Sequence, residues 1–583
     1  MTLKKILPIL DWLPHYKKQY LPGDISAGLT VGIMLIPQGM AYAMIAGLPP
    51  VYGLYAALIP QVVYALFGTS RQLAVGPVAM DSLLVAAGVS TMAVVGSQEY
   101  ITLAILLSFM MGVVQLAFGV LRLGFLVHFL SKPVVSGFTS AAALIIGLNQ
   151  LKHLIGVDIE RNNNIFKIAY DAFLSFEKIN WIAVTMGVLG ILLIKGIKKI
   201  HQAIPGALVV VVLSILVVKF ANLTQVGVKI VGHIPQGLPP FAWPALNTTH
   251  FTELIPIALT LALIAFMESI SVAKAIQSKH KGAYELDNNQ EMIGLGMGNM
   301  VGSLFSCYPT TGGFSRSAVN DQSGAKTNLA ALISAALIGL TLLFLTPLFY
   351  YLPKPILGAI IMVAVFGLID FKYPKYLWKA SKADFLMFVT AFGVTLGVGI
   401  KEGIGVGVLI SLLVLIYRST KPHVAVLGKL PHSTDYRNIT RFRAVEIRPE
   451  ILVIRHDAQL FFANISNFLA VTQQALEQRE LEQKDRVKLF VLHCGSIPYV
   501  DATALQGLKE LIQELQSNEV EVALTGLLGP VRDFLFKTGF VKEIGENHFF
   551  MDVQPAIDYF DNYGDFEIHR APDEVLQTNV LSS

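Results

Sequence analysis

Gly76-Pro77-Val78-Ala79 and Gly312-Gly313-Phe314-Ser315-Arg316-Ser317 interrupt two otherwise apolar segments of the chain. Each places Gly, Pro or small polar residues where a membrane span would read Leu, Ile or Val. Irregular backbone is tolerated in the hydrocarbon region only where protein or a water-filled cavity satisfies its N–H and C=O groups, so two such breaks signal a site. Their contexts match as well: Tyr64-Ala65-Leu66-Phe67-Gly68-Thr69-Ser70 leads into the first, and Val301-Gly302-Ser303-Leu304-Phe305-Ser306-Cys307 into the second. Aligning the Leu-Phe pairs sets Pro77 opposite Ser315 and Val78 opposite Arg316. Interrupted segments at corresponding positions of two halves point to the central binding site of a secondary transporter built from inverted repeats.

The composition agrees with a bilayer setting. The 583 residues are 54% hydrophobic and 14% charged, with mean hydropathy +0.59, too apolar for an ordinary soluble protein. The net charge of +4 is small for this length and the lysines are spread among loops, so nucleic acid is not an expected partner. Cys307 and Cys494 have no CxxC or His/Cys ligand spacing around them, which argues against disulfide or metal roles. Met1 to Lys18 carries Lys4, Lys5, Lys17 and Lys18 around a short apolar run, with no small-residue cleavage site after it. It reads as a cytoplasmic amphipathic lead-in, not a signal peptide.

Roughly 20 apolar residues span a bilayer. On that measure spans fall near 25–46, 50–67, 73–93, 100–121, 126–150, 181–196 and 204–220, then near 254–276, 289–306, 314–323, 328–350, 355–370, 383–400 and 402–417. The tenth, with Arg316, Asn320 and Asp321, is too polar for hydropathy alone and is included because the repeat requires it. With the N-terminus cytoplasmic, this count puts Arg71, Arg122, Lys195/Lys198/Lys199, Lys274/Lys279/Lys281, Lys326, Lys372/Lys375/Lys379/Lys382 and Arg418/Lys421 inside, as the positive-inside rule expects. Lys152, Lys354 and Lys401 are the outside exceptions. Fourteen spans, seven plus seven, is the consistent reading. The loop of about 220 to 253 between the halves contains Asn222-Leu223-Thr224 and Asn247-Thr248-Thr249, sequons too short to carry weight.

After Tyr417-Arg418 the composition turns polar. Residues 421–440 read as a linker and 441–562 as a small domain, following a lead-in of 1–20 and a transport domain of 21–420. Ile451 to Arg455 reads as a strand with Gln459 to Asn464 as its hairpin partner. Phe468 to Glu480 has helical periodicity, Val487 to His493 is a buried strand, and Ala502 to Gln516 is an amphipathic helix with Leu505, Leu508, Leu511, Ile512 and Leu515 on one face. Val520 to Leu524 and Val531 to Thr538 add a strand and a helix, ended by Gly539. The alternation means a small α/β domain. Residues 563–583 read as a mobile polar tail.

Pro49-Pro50-Val51-Tyr52-Gly53-Leu54-Tyr55, Tyr64 to Arg71, Gly76-Pro77-Val78-Ala79 and Thr311-Gly312-Gly313-Phe314-Ser315-Arg316-Ser317-Ala318-Val319-Asn320 together resemble the sulfate-transporter signature of the SulP family of anion permeases. The tail resembles a STAS domain. The resemblance covers nearly the whole chain and implies a uracil-permease-like fold, with core bundles from spans one to four and eight to eleven, gate bundles from the others, and commonly a homodimer. It puts the substrate between the N-termini of the third and tenth spans, which here means Val78, Ala79, Phe314, Ser315, Arg316 and Ser317, with Gln38, inside a Pro37-Gln38-Gly39 break of the first span, as a further hydrogen-bonder. The physics agrees: each helix N-terminus carries roughly half a positive charge and unsatisfied N–H groups, so an anion is the natural ligand.

Ser315 and Ser317 can add hydroxyl donors. Arg316 either contacts the oxyanion, supplies field without contact, or pairs with backbone carbonyls or an acidic neighbour near the cytoplasmic opening. Gln38 in a span could instead only bind helices together. Glu268 stands deep in an apolar span, where an ionised carboxylate costs at least about 2.5–3.5 kcal/mol. The resemblance associates an acidic residue at this position with proton or sodium coupling, and Glu268 is expected to take a proton with anion entry unless it is permanently paired with a lysine or Arg316. In the STAS-like turn Ile497-Pro498-Tyr499-Val500-Asp501-Ala502-Thr503, soluble relatives phosphorylate a serine after the Asp. Here that position is Ala502, so Asp501 or Thr503 caps the helix and the domain serves folding, dimer contact or a protein partner.

No catalytic set, ATP-binding loop or cofactor motif stands out, and His128, His153 and His456 are isolated. The chain is expected to be a non-enzymatic secondary active transporter that takes up sulfate with protons by an elevator-like motion, in a cell membrane with both termini cytoplasmic. Sodium-coupled bicarbonate transport is the alternative. Sodium favours a hard oxygen cage, and only Ser269 and Ser271 add side-chain oxygens near Glu268. A channel or a non-transporting STAS-bearing scaffold is a further alternative.

Overall fold

A computed structural model describes residues 6–124, 131–157, 167, 170, 173–200, 206–246, 249–280, 284–367, 369–483 and 486–563. The chain divides into two units, Met1–Leu412 and Leu413–Ser583. The expected mobile tail and the second sequon lie outside the described residues, apart from Tyr563 and Thr249 at their edges.

The first unit is helical because its apolar runs satisfy their backbone groups internally. Its helices include α1 (Leu21–Ile45), α2 (Pro50–Phe67), α3 (Ala79–Val89), α4 (Gln98–Val120), α5 (Lys132–Asn149), α6 (Trp181–Ile200), α7 (Gly206–Phe220), α8 (Phe251–Gln277), α9 (Asn288–Ser303), α10 (Phe314–Gln322), α11 (Leu329–Leu340), α12 (Lys354–Phe366) and α13 (Lys382–Gly397). Helix α14 (Ile400–Thr420) runs across the division between the units. Among the described residues six helices are long and apolar enough to cross a membrane: Lys18–Ile45, Pro50–Phe67, Gln98–Val120, Lys132–Ile155, Phe251–Gln277 and Leu329–Phe349. Shorter apolar helices include Ala79–Val89, Trp181–Ile197, Gly206–Phe220 and Lys354–Phe366. Leu189, Leu192, Leu213 and Leu216 stand exposed on α6 and α7, as side chains facing lipid do.

Helices α1, α2, α4, α8, α9 and α11 pack on one another, and α5 packs on α13 while α6 packs on α12. This is the core-and-gate division. Small residues let the core helices touch along their backbones: a Cβ on Gly53 would collide with the Gly39 carbonyl oxygen. The expected break at Pro37-Gln38-Gly39 does not occur, since α1 continues through Pro37 to Ile45. An internal proline removes one hydrogen bond, and packed neighbours hold the helix across it.

The second unit carries a six-stranded sheet of order β4-β3-β5-β6-β7-β8, where β3 is Val424–Lys429, β4 Tyr436–Asn438, β5 Ile451–His456, β6 Leu489–His493, β7 Glu521–Thr525 and β8 Phe549–Phe550. Strands β5 to β8 run parallel, and β3 is antiparallel to both β4 and β5. Helices α15 (Ile465–Gln483), α16 (Ala502–Ser517), α17 (Gly529–Lys537) and α18 (Phe540–Ile544) cover one face through Phe468, Leu508, Leu535 and Phe540. Helix α19 (Val553–Tyr563) covers the other through Val553, Ala556 and Ile557.

Two expectations change here. The stretch read as a linker, 421–440, contains β3 and β4. The proposed hairpin partner of β5, Gln459 to Asn464, is a turn: Leu460 makes only an isolated bridge to Val500, and Asn464 Oδ1 accepts from Phe461 N at 3.0 Å. Strand β5 pairs with β3, whose alternating Val424, Val426 and Ala425, Leu427 feed the two faces of the sheet.

Candidate anion-binding site

The two interrupted segments meet. Each enters its helix from a two-residue strand, β1 (Val75–Gly76) and β2 (Thr311–Gly312), and these pair antiparallel, Val75 with Gly312 and Gly76 with Thr311. Gly313 N extends the pairing by donating to Ala74 O at 3.1 Å. Val78 is therefore the N-cap of α3 and Gly313 the N-cap of α10, close together and without a side-chain capping bond on either. The first N–H groups of each helix have no intrahelical acceptor, so both starts present donors and partial positive charge.

The helix starts match Val78 with Gly313 and Ala79 with Phe314, not Val78 with Arg316 as the Leu-Phe alignment predicts. Three more residues separate Phe67 from α3 than separate Phe305 from α10: two lie before the strand, in the stretch that contains the Gly68 to Gln72 turn, and one lies between the strand and the helix, and the turn folds over α9. There Glu291 Oε1 accepts from Thr69 N at 2.6 Å, Thr69 Oγ1 at 2.7 Å and Ser70 N at 2.9 Å, and Oε2 from Tyr64 OH at 2.7 Å.

Arg316 lies in the first turn of α10 and is 3% exposed. Its Nη1 donates to Pro77 O at 2.7 Å, the carbonyl just before the start of α3, while Nε and Nη2 have no partner. One nitrogen is thus tied to a backbone carbonyl, as one of the sequence readings expects, and two have no protein partner. The guanidinium needs the glycines around it, since a Cβ on Gly313 would lie 2.8 Å from its carbon. Asp321, the acidic residue nearest in sequence, pairs instead with His280 at 2.5 Å and Lys279 at 3.4 Å.

Among the other sequence candidates, Phe314 and Ser315 are exposed at the α10 start, Val78 and Ala79 are buried at the α3 start, and Gln38 is half-buried on α1. Ser317 is fully buried and committed: its Oγ accepts from Ala74 N at 2.9 Å and donates to Gly313 O at 2.7 Å. It fastens the two interrupted segments together and has no hydrogen left for an anion.

Helix α8 holds β2 from the other side. Ser269 Oγ accepts from Gly312 N at 2.8 Å and lies 2.6 Å from Thr311 Oγ1, which donates to Ala265 O at 2.7 Å. Glu268 is therefore delivered to the site by a rigid neighbour. It interacts electrostatically with Arg316, and its Oε2 is buried without a partner. Asp81, in the first turn of α3, was not among the candidates. It is fully buried, both its carboxylate oxygens lack a partner, and it interacts electrostatically with Glu268 and Arg316. Like Glu268 it is an acidic residue in an apolar span, so Met80-Asp81-Ser82 carries the same sequence signal. Tyr308 joins this cluster through Ser82, with the two hydroxyls 3.1 Å apart.

Residues 21–391 match the sequence model of the sulfate permease family, and residues 443–556 match the STAS domain. Sulfate transporter 4.1, chloroplastic, of Arabidopsis thaliana is 40% identical over 567 residues, 95% of this chain and 82% of that protein. The structure of the murine solute carrier 26 family member A9 anion transporter in its inward-facing state superposes with a TM-score of 0.87 at 25% identity, covering 96% of this chain and 94% of that one. The transmembrane domain of a cyanobacterium bicarbonate transporter shares the fold, with a TM-score of 0.59 at 22% identity over 68% of this chain and 98% of that one. Two uncapped helix starts around a buried arginine, in a chain with these relatives, identify a multi-pass membrane anion transporter of the sulfate permease family with a C-terminal STAS domain.

Proposed function

We propose that the chain takes up sulfate by secondary active transport with protons, the core helices moving elevator-like against the others. The observation that carries this reading is Arg316 between the two helix starts, with Nε and Nη2 unpartnered. Each helix end contributes about half a positive charge, so with the guanidinium the site offers roughly two, matched to a divalent oxyanion. Ser315, Phe314, Val78, Ala79 and Gln38 line the approach, and the sulfate named for the plant relative supports the choice of anion. Glu268 takes up a proton as the anion enters, which removes a negative charge from a site receiving others. Fourteen spans in a seven-plus-seven repeat, a homodimer, and both termini on the cytoplasmic side of a cell membrane complete the proposal. The STAS domain is assigned to folding, dimer contact or a protein partner.

The bicarbonate alternative with sodium is weaker on the donor set. Ser269 is occupied by Gly312 N and Thr311, and Ser271 is exposed and donates to Met267 O, so neither completes an oxygen cage around Glu268. The test is uptake of labelled sulfate and of bicarbonate into proteoliposomes under inward proton, inward sodium or no gradient. Sulfate accumulation driven by protons and abolished in Glu268→Gln supports the proposal. Sodium-driven bicarbonate uptake without sulfate uptake refutes it.

A further inference from the structure

Buried carboxylates in the first unit fall into two kinds. Asp24 accepts from Lys326 N at 2.7 Å, Thr327 N at 3.1 Å, Thr327 Oγ1 at 2.7 Å and Tyr16 OH at 3.2 Å, and Glu291 accepts the four bonds described above. Those two are structural carboxyl groups with full donor shells. Asp81 is as deeply buried as either, yet neither of its oxygens has a donor. A buried charge without hydrogen bonds is costly, and Asp81 cannot keep one permanently without a partner. Of the two states open to it, one has a proton on the carboxyl and the other has the charge balanced by a neighbouring cation.

That cation is Arg316, and Glu268 shares it. The ionisable groups facing Asp81 are few. Glu268 comes from α8, Arg316 from α10, and Tyr308 through its bond to Ser82, while Tyr42 of α1 adjoins Arg316 and Glu268. Helices α4, α5 and α12 also pack against α3, but their ionisable groups are engaged elsewhere or lie at their ends. Glu99 is 4.0 Å from His250, Tyr100 OH donates to Ala46 O, Lys132 lies 5.0 Å over the Tyr373 ring, and Lys354 is the first residue of α12.

We infer that Asp81 is a second proton-carrying group of the anion site, so that two protons accompany each divalent oxyanion. The inference rests on the proton-coupled reading of Glu268 and extends it. Two helix ends and Arg316 sum to about +2, and two ionised carboxylates bring the empty site to about zero. Sulfate lowers it to about −2, and one proton on Glu268 restores only half of that. A second proton, on Asp81, returns the loaded site to neutrality, so the empty and loaded forms cross the membrane with the same charge. Release of the anion on the inside leaves both carboxylic acids beside Arg316, where they give up their protons.

The experiment is the limiting sulfate accumulation ratio in proteoliposomes holding the full chain, with a one-unit inward proton gradient and the membrane potential held at zero. One pH unit contributes a tenfold factor per proton, so the wild-type limit is about 100-fold with two protons and about 10-fold with one. The expected results are about 100-fold for the wild type, insensitive to an imposed potential, and about 10-fold for Asp81→Asn, now sensitive to it because one net negative charge enters per cycle. The ratio is a thermodynamic limit and does not depend on how fast a variant turns over. A wild-type limit near 10-fold, which needs no variant, or an unchanged ratio in Asp81→Asn, overturns the role of Asp81 and leaves Glu268 coupling standing. Absence of any proton-driven accumulation by the wild type removes both.

Discussion

Ser317→Ala separates a structural role from a ligand-binding one, because the hydroxyl makes two hydrogen bonds whose loss has unequal consequences. The Gly313 carbonyl keeps a donor, since Ser317 N also bonds to it at 3.0 Å. Ala74 N loses its acceptor in a fully buried setting. Only one group is orphaned, so the cost is that of a single unsatisfied donor, about 1–3 kcal/mol, and not twice that. For a unit of some 400 residues, unfolding entropy scaled by length converts this to a fall of roughly 1–4 °C in midpoint. Thermal unfolding of the purified full chain with and without sulfate, alongside uptake kinetics, checks it. The expected outcome is a lower midpoint in the absence of sulfate, with the increment that sulfate adds preserved. An unchanged midpoint together with a tenfold rise in KM for sulfate would refute the reasoning and return Ser317 to the ligand.

Glu291→Ala orphans Tyr64 OH, Thr69 N and Ser70 N together and should destabilise the first unit by several kcal/mol, visible as loss of folded protein in size-exclusion of detergent extracts; Asp24→Ala should behave alike. Asp501 Oδ1 accepts from Ala504 N at 2.8 Å and Oδ2 from Phe462 N at 2.9 Å, so Asp501→Ala should cost about 0.5–2 kcal/mol of second-unit stability, read by hydrogen exchange of α16 amides in the full chain, with transport coupling unchanged. Burial pushes the His456 imidazole below its ordinary 6.5, an effect only partly offset by its bond to Gln459 O and the charge of Asp457. The unfolded chain therefore binds more protons, and the stability of the sheet should fall as pH drops below about 6.5. Because His493 is also lowered by burial, His456→Phe should reduce this slope without abolishing it, measured by exchange of β5 amides between pH 7.5 and 5.5. An unchanged slope would count against the assignment.

Much of the candidate site was legible because membrane burial restricts what a chain can contain. A Gly-Pro or Gly-Gly break in an apolar segment, or a lone Glu268 within one, has few uses in hydrocarbon, and each led to the same place. The small domain was equally readable where hydrophobic runs were long and their period clear, as in β6 and α16. The reading failed where a feature depends on a partner far away in sequence. Val424 to Lys429 is a short alternating run beside Pro422 and became a strand only because β5 offers an edge to it. Gln459 to Asn464 has strand-like composition, but both sides of β5 are taken, by β3 and β6.

Composition, the two interruptions and their flanking motifs by themselves determined a membrane anion transporter with an α/β appendage, since hydropathy and backbone satisfaction are local properties of the chain. Tertiary structure alone decided which polar groups are spent and which are available. Ser317, Ser269 and Glu291 lie near the site in sequence terms, yet their hydrogen bonds close the scaffold. Arg316, Glu268 and Asp81 keep unpartnered atoms. The difference lies in donors and acceptors contributed by segments up to about 240 residues apart, such as Ala74 for Ser317 and Pro77 for Arg316, and no local pattern records where such partners will fall.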